Sequence, residues 1–378
     1  MESLIYFDNS ATTKPCPKCV EYTQKALSRF WGNPSSTYSL GLQAASVLES
    51  ARQAAADFLS CSPSEVFFTS CGSESNNTAL RGAARMMKKQ GRRIVTTALE
   101  HPSVLKTVED LERDGFEVIR LVPVNGMIRE EDLRTAITRD TILVSMMAVN
   151  NETGAVFDLK AARKAINDAH SPALLHCDAV QAFGKIPLSV EESGIDLLSA
   201  SGHKIHAAKG IGLLYRSGRL KGFPPLITGG GQESGLRSGT EAVPAIAGLL
   251  GALESLDISR DLAAVKKVRD YAAEKLCSSG MICLNSPENA LPYILNLSVC
   301  YYKSESVLNA LSARGICVSM GSACAKGHRS YVLQHYGLSN ERIDSALRLS
   351  FSPENTIEQI DVLAEALNDI TKRMRRFA

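Results

Sequence analysis

From about residue 42 to residue 216, helix-length segments alternate with short apolar runs, and this alternation constrains the fold more than any other feature of the chain. Leu42 to Leu59 is Ala-rich, with Leu48, Ala51, Ala55 and Phe58 on one side, the spacing of an amphipathic helix. Apolar, β-branched or aromatic runs follow at 65–69, 93–96, 116–119, 141–146 and 173–175, separated by helix-length segments. Strands connected through helices run parallel, and parallel sheets are covered on both faces, so a mostly parallel, doubly wound α/β sheet is expected. Beyond about residue 255 the pattern changes. Long helices at 260–279 and 355–375 flank short strands at 293–299, 316–319 and 347–351, which reads as a smaller α+β domain. The expected division is a large α/β domain over 14–255 and a small domain built from 1–13 with 256–378.

Length agrees with two domains, because 378 residues exceed what one compact core usually supports. A hydrophobic content of 44% with 22% charged residues is that of a soluble globular protein. The net charge of +2 lacks the basic excess of a general nucleic-acid binder, so no direct nucleic-acid partner is expected. No apolar run reaches the ~18 residues of a membrane span. Met1 to Leu4 lacks the features of a signal peptide, so a cytoplasmic location is expected, with the ten cysteines as thiols. Cys16-Pro17-Lys18-Cys19 has no second pair at zinc-finger spacing and reads as two ordinary thiols near a helix start.

The chemistry-bearing residues collect where apolar runs end. His176-Cys177-Asp178-Ala179-Val180-Gln181 follows Ala173-Leu174-Leu175, and Ser201-Gly202-His203-Lys204 follows 195–198. A carboxylate after one strand and a lysine after the next is the pairing pyridoxal phosphate requires. The acid keeps the pyridine nitrogen protonated, and the amine forms an imine with the aldehyde. Ser70-Cys71-Gly72-Ser73-Glu74, between a strand and a helix, suits an anion cup, and Arg237-Ser238-Gly239-Thr240 offers further donors. The Gly229-Gly230-Gly231 run is a flexible loop. His101 opens a helix, where it either caps that helix or stacks on a flat ring. Asn150-Asn151-Glu152-Thr153-Gly154 ends the strand at 141–146, at the edge where doubly wound sheets bind ligands. Arg348 sits in a partly buried strand and needs an anionic partner, for which a substrate carboxylate is a bidentate match. Cys324 lies in a small-residue loop, with Lys326, His328 and Arg329 nearby to favour the thiolate.

With these residues assembled, the chain resembles the cysteine desulfurases of the NifS/IscS type, in class V of the aminotransferases and the pyridoxal-phosphate-dependent transferase fold type I. The resemblance runs from Asp8-Asn9-Ser10-Ala11-Thr12-Thr13 through Gly32-Asn33-Pro34-Ser35-Ser36 and Cys71 to Ser75. It continues through Glu100-His101, Asn150 to Gly154, His176 to Gln181, Ser201 to Lys204, Arg237 to Thr240, Gly321 to Cys324 and Arg348. Ala207-Ala208 and Tyr38 replace a Gly-Pro and a His common in the family, and neither touches the expected chemistry. The segment from Cys324 to Tyr331 is shorter than in long-loop members, and the chain ends at Ala378 without the tail some members use to dock a scaffold.

The resemblance implies a homodimer that converts L-cysteine to L-alanine. Lys204 would hold the coenzyme and move the substrate α-proton. Asp178 would pair with the pyridine nitrogen, Gln181 would contact the ring hydroxyl, and His101 would stack on the ring. Gly72, Ser73, Ser201, Gly202 and His203 would bind the phosphate, joined by Thr240 of the other subunit. Asn151, also beside the coenzyme, and Arg348 would hold the substrate carboxylate. Cys324 would take the sulfur as a persulfide and pass it to a protein acceptor, either an iron–sulfur scaffold or a thiolation relay. No resident metal is implied, although Cys324 could serve as a transient iron–sulfur ligand. Two alternatives stay open. One is a sister activity such as selenocysteine lysis or transamination, and the other is a silent relative acting as a scaffold.

Overall fold

The computed structural model describes residues 4–124, 126–278, 280–320 and 329–376. Cys324 lies outside the described residues. The strands are β1 (Ile5–Tyr6), β2 (Val66–Thr69), β3 (Arg93–Thr97), β4 (Glu117–Leu121), β5 (Thr141–Met147) and β6 (Leu174–Asp178). They continue as β7 (Leu197–Ser201), β8 (Gly212–Arg216), β9 (Ile282–Leu284), β10 (Ile294–Val299), β11 (Ile316–Cys317) and β12 (Ala346–Ser350).

Seven strands form one sheet in the order β2-β8-β7-β6-β5-β3-β4. The neighbours from β7 through β6, β5 and β3 to β4 are parallel, while β8 runs antiparallel to both β7 and β2. The segment 202–211 explains that reversal. It is too short for the crossover a parallel neighbour needs, so β8 must fold straight back along β7.

Every residue of β5 is buried, as a central strand covered on both faces demands. Successive residues face opposite ways: Phe68, Val95, Val144 and Leu198 belong to one apolar cluster, Phe67, Ile94, Leu143 and Leu197 to another. The helix expected at 42–59 spans Ser39–Leu59 and buries Leu48, Ala51 and Ala55.

The second region holds the helices Ile258–Cys277 and Ile357–Arg373 with an antiparallel sheet of order β12-β10-β9. β1 pairs in parallel with β11, and the Ser350 N–H donates to the Phe7 carbonyl at 2.7 Å. The first residues of the chain are thereby joined to its last third.

The arrangement of the large sheet fixes where a site can form. β2, β3, β5, β6 and β7 all run the same way, so their carboxyl ends share one edge. Residues 70–76, 98–103, 148–152, 178–181 and 201–204 leave the sheet there.

Candidate active site

The first element is an anion cup. β2 turns at Cys71 into the helix Gly72–Met87, whose N-terminus has no side-chain cap. Its first N–H groups and positive dipole end are therefore offered to a ligand. Gly72 must be a glycine, because a Cβ there would lie 2.6 Å from Val180 Cγ2. Across from it, the Ser201 Oγ is buried and has no hydrogen-bond partner among the described residues. Buried hydroxyls are rarely left unpaired, and one beside a bare helix N-terminus marks a place for an anion. Glu74 does not compete, since it is occupied by the Ser70 N–H and by Arg237, each at 2.9 Å.

The second element is the carboxylate at the end of β6. Asp178 Oδ1 accepts from the Val180 N–H at 3.0 Å, and Oδ2 accepts from Asn76 Nδ2 at 2.7 Å. Asn76, on the helix Gly72–Met87, also donates to Ser103 Oγ at 2.9 Å. His101 caps a helix, as one of its two readings had it, and also reaches the cavity. Its Nδ1 accepts from the Ser103 N–H at 3.1 Å and caps the helix Pro102–Arg113, while its ring lines the cavity. Burial lowers its pKa, Asp178 opposes that shift and Lys204 adds to it, so a neutral imidazole is favoured.

Lys204 ends the one-turn helix Gly202–Lys204 after β7 and reaches across to the N-terminal segment. Its Nζ donates to the carbonyls of Ser10 at 2.5 Å and Ala11 at 2.7 Å. Gln181 Nε2 donates to the same Ser10 carbonyl at 3.0 Å. His203 is pushed down to about 4 by burial, reinforced by Lys204, Lys209 and Lys185.

Arg348 comes from the other region of the chain. It is 2% exposed, and its Nη atoms reach the Asn151 carbonyl at 2.9 Å and Asp8 Oδ1 at 2.8 Å. The anion that a buried arginine demands is thus already present as Asp8, and the guanidinium still lines the cavity. Glu152 is buried beneath it, accepts from Ser330 Oγ at 2.5 Å, and has its pKa raised by burial.

These groups enclose a cavity of about 360 Å³. Among the residues read from the sequence, Gly72, Ser73, His101, Asn151 and Asp178 line it, as do Gln181, Ser201, His203, Lys204 and Arg348. Two do not. Gly202 lies behind the wall, where a Cβ would meet Ile211 Cγ2 at 2.7 Å, and Thr240 is exposed away from the cavity of its own chain. Cys324 is not among the described residues. Sequence reasoning missed Asn76, Val180 and Tyr331, which also line the cavity. The polar Asn76 one turn into an otherwise apolar helix face was the available signal. Cys16 proves to be a helix cap, its Sγ accepting from the Cys19 N–H at 3.3 Å. Among the described residues no group of three or more His, Cys, Asp or Glu is set to hold a metal, and no helix is long and apolar enough to cross a membrane.

The Aminotransferase class-V family pattern matches residues 5–363. The chain belongs to that family. Among its class-V relatives, a cysteine desulfurase of Trichormus azollae is 40% identical over 99% of this chain and 94% of its own length. The cysteine desulfurase IscS of Methanosarcina thermophila is 39% identical, over 99% and 93%. A NifS-like protein of known structure superposes with a TM-score of 0.92 at 36% identity, covering 98% of this chain and 100% of its own. A structure of SspA in complex with cysteine superposes at 0.83 with 34% identity, covering 93% and 100%. The fold is the type I transferase fold of these pyridoxal-phosphate enzymes. The residues present fit that coenzyme. The bare helix N-terminus with the orphaned Ser201 hydroxyl matches a phosphate, and Asp178 matches a protonated ring nitrogen. Lys204 supplies an amine at the same cavity.

Proposed function

We propose that this chain is a pyridoxal-phosphate-dependent L-cysteine desulfurase. The observation that carries the reading is the convergence of Lys204, Asp178, Ser201 and Arg348 on one cavity, in a chain similar over nearly its whole length to cysteine desulfurases. When bound, pyridoxal phosphate supplies an electron sink that makes the substrate Cα–H acidic.

The protein does the rest. The N–H groups at Gly72 and Ser73, with the Ser201 hydroxyl, hold the phosphate, and Gly202 and His203 complete that turn. Asp178, itself held by Asn76 and the Val180 N–H, keeps a proton on the ring nitrogen. The His101 ring covers one face of the coenzyme, and Gln181 contacts its hydroxyl. Arg348 and Asn151 take the carboxylate of L-cysteine, which orients Cα towards the Lys204 amine that moves its proton. The Cys324 thiolate then attacks the substrate sulfur. A new S–S bond forms as the Cβ–S bond breaks, its electron pair staying with carbon. Cβ takes up a proton, Cα regains the one that Lys204 moved, and L-alanine leaves with a persulfide held on Cys324.

The same reading makes the protein a homodimer, because Thr240 is exposed in its own chain and free to complete a partner's phosphate site. It divides the chain into 14–255 and 1–13 with 256–378, supported by the pairing of β1 with β11. It also assigns the cytoplasm as the location and an iron–sulfur scaffold or thiolation relay as the sulfur acceptor. The test is an assay of L-alanine and sulfide from L-cysteine with wild type, Lys204→Ala and Cys324→Ser. Activity in wild type alone supports the desulfurase. Full sulfide production by Cys324→Ser overturns the persulfide route.

A further inference from the structure

Lys185 is 5% exposed, and no carboxylate among the described residues pairs with it. Burying an ammonium without an acid costs several kcal/mol, so an unpaired buried lysine that serves only packing would be poorly placed. Its surroundings make the position worse. Among the described residues the charged groups acting on it are the cations Lys204 and Arg348, and burial with their repulsion brings its pKa down to about 7. The Tyr293 ring, 5.4 Å from Nζ, offers it a cation–π contact.

What Lys185 does touch is Gln181, donating to Oε1 at 3.1 Å from four residues further along the turn that follows β6. Gln181 lines the cavity; Lys185 stands behind it. A glutamine amide has an acceptor end and a donor end with two N–H groups. Lys185 occupies the acceptor end, and the Ser10 carbonyl takes one N–H at 3.0 Å. The second N–H is left for the cavity. The amide is tethered at both ends, and the Ser10 carbonyl is shared with Lys204.

We propose that Lys185 is a positioning residue that acts through Gln181, holding its amide so that an N–H is presented to the ring oxygen of the coenzyme. This rests on the coenzyme reading above. A hydrogen bond to an ionised oxygen is worth more than a neutral one. An oxygen that loses a donor becomes more basic and keeps its proton to higher pH.

The test uses the full-length protein reconstituted with pyridoxal phosphate, comparing wild type, Lys185→Met, Lys185→Arg, Gln181→Ala and the double variant Lys185→Met/Gln181→Ala. The readouts are the pH at which the visible absorption band titrates and the coenzyme dissociation constant by equilibrium dialysis. Lys185→Met is expected to raise the titration midpoint and to weaken coenzyme binding about tenfold, the loss of one charge-assisted hydrogen bond. Lys185→Arg should recover most of both. In the Gln181→Ala background, Lys185→Met should add nothing further. A Lys185→Met protein that titrates and binds like wild type overturns the proposal, as does an undiminished effect in the Gln181→Ala background. If Lys185→Met does not fold, Gln181→Leu with Lys185 intact reads the same contact from its other end, and wild-type behaviour there overturns the proposal. A wild-type chain that binds no coenzyme overturns both this inference and the reading it rests on.

Discussion

Asn76 Nδ2 lies 2.7 Å from Asp178 Oδ2, joining a helix that begins at the anion cup to the carboxylate at the end of β6. The two residues are about a hundred positions apart, and their contact ties the anion-cup end of the cavity to the end that holds Asp178. Asn76 also holds Ser103, which bonds His101, so one amide braces the carboxylate and the His101 imidazole together.

Replacing Asn76 by Ala therefore removes a donor from a buried carboxylate. Coenzyme affinity should fall about tenfold or more, the worth of a hydrogen bond to a charged group. Asn76→Asp should be worse, since it sets a second carboxyl against Asp178. Equilibrium dialysis of the apo-protein measures both, and an Asn76→Ala protein with wild-type affinity would count against the brace.

Gly72→Ala should weaken coenzyme binding by a different cause. The new Cβ meets Val180 Cγ2 at 2.6 Å, a contact that must push one wall of the cup aside at roughly 1–3 kcal/mol. Val180→Ala in the same chain removes the clash, so the double variant should recover much of the loss. Failure of that rescue would mean that Gly72 matters for a reason other than space.

The Arg348 fork joins Asp8 and the Asn151 carbonyl, two points that a lysine ammonium cannot span together. Arg348→Lys should raise KM for L-cysteine about tenfold while leaving coenzyme affinity unchanged, since the arginine is assigned to the substrate carboxylate. Steady-state kinetics beside a coenzyme titration separate the two effects. Equal loss in both would move Arg348 from substrate holding to general support.

Glu100 gives a pH signature. It is fully buried, its Oε1 accepts from Thr97 and Met147, and its pKa is raised to about 8, with burial the main cause. A raised folded-state pKa means that the folded chain holds a proton the unfolded chain releases above about 4.5. Its contribution is fully present below that point and is lost as pH rises through about 8. Glu100→Gln cannot ionise. It should match wild type near pH 5 and exceed it above pH 8 by an amount on the order of a few kcal/mol, read from urea midpoints. Parallel profiles would show that Glu100 does not change its proton on folding.

The large sheet was legible because each parallel strand is an apolar run and each crossover a helix length, patterns that survive in one dimension. The reversal of β8 was also implicit in the short 202–211 segment. Residues at the strand ends, such as Asp178 and Lys204, were readable because position in an α/β sheet predicts the binding edge. Asn76 and Lys185 were not, since each acts on a residue already chosen and carries no motif of its own. Arg348 fell between the two. Its need for an anion follows from burial, but the partner, Asp8, stands 340 residues away in sequence and becomes its neighbour only through the β12 contacts of the N-terminal segment.

The most direct test of the desulfurase reading is to give the reconstituted protein L-cysteine without reductant and to locate the sulfur by peptide mass spectrometry while counting L-alanine. One added sulfur atom is expected on the peptide bearing Cys324, matched by one L-alanine per site, with neither product in Lys204→Ala. Alanine formed with no sulfur on Cys324, or formed equally well by Cys324→Ser, would contradict it.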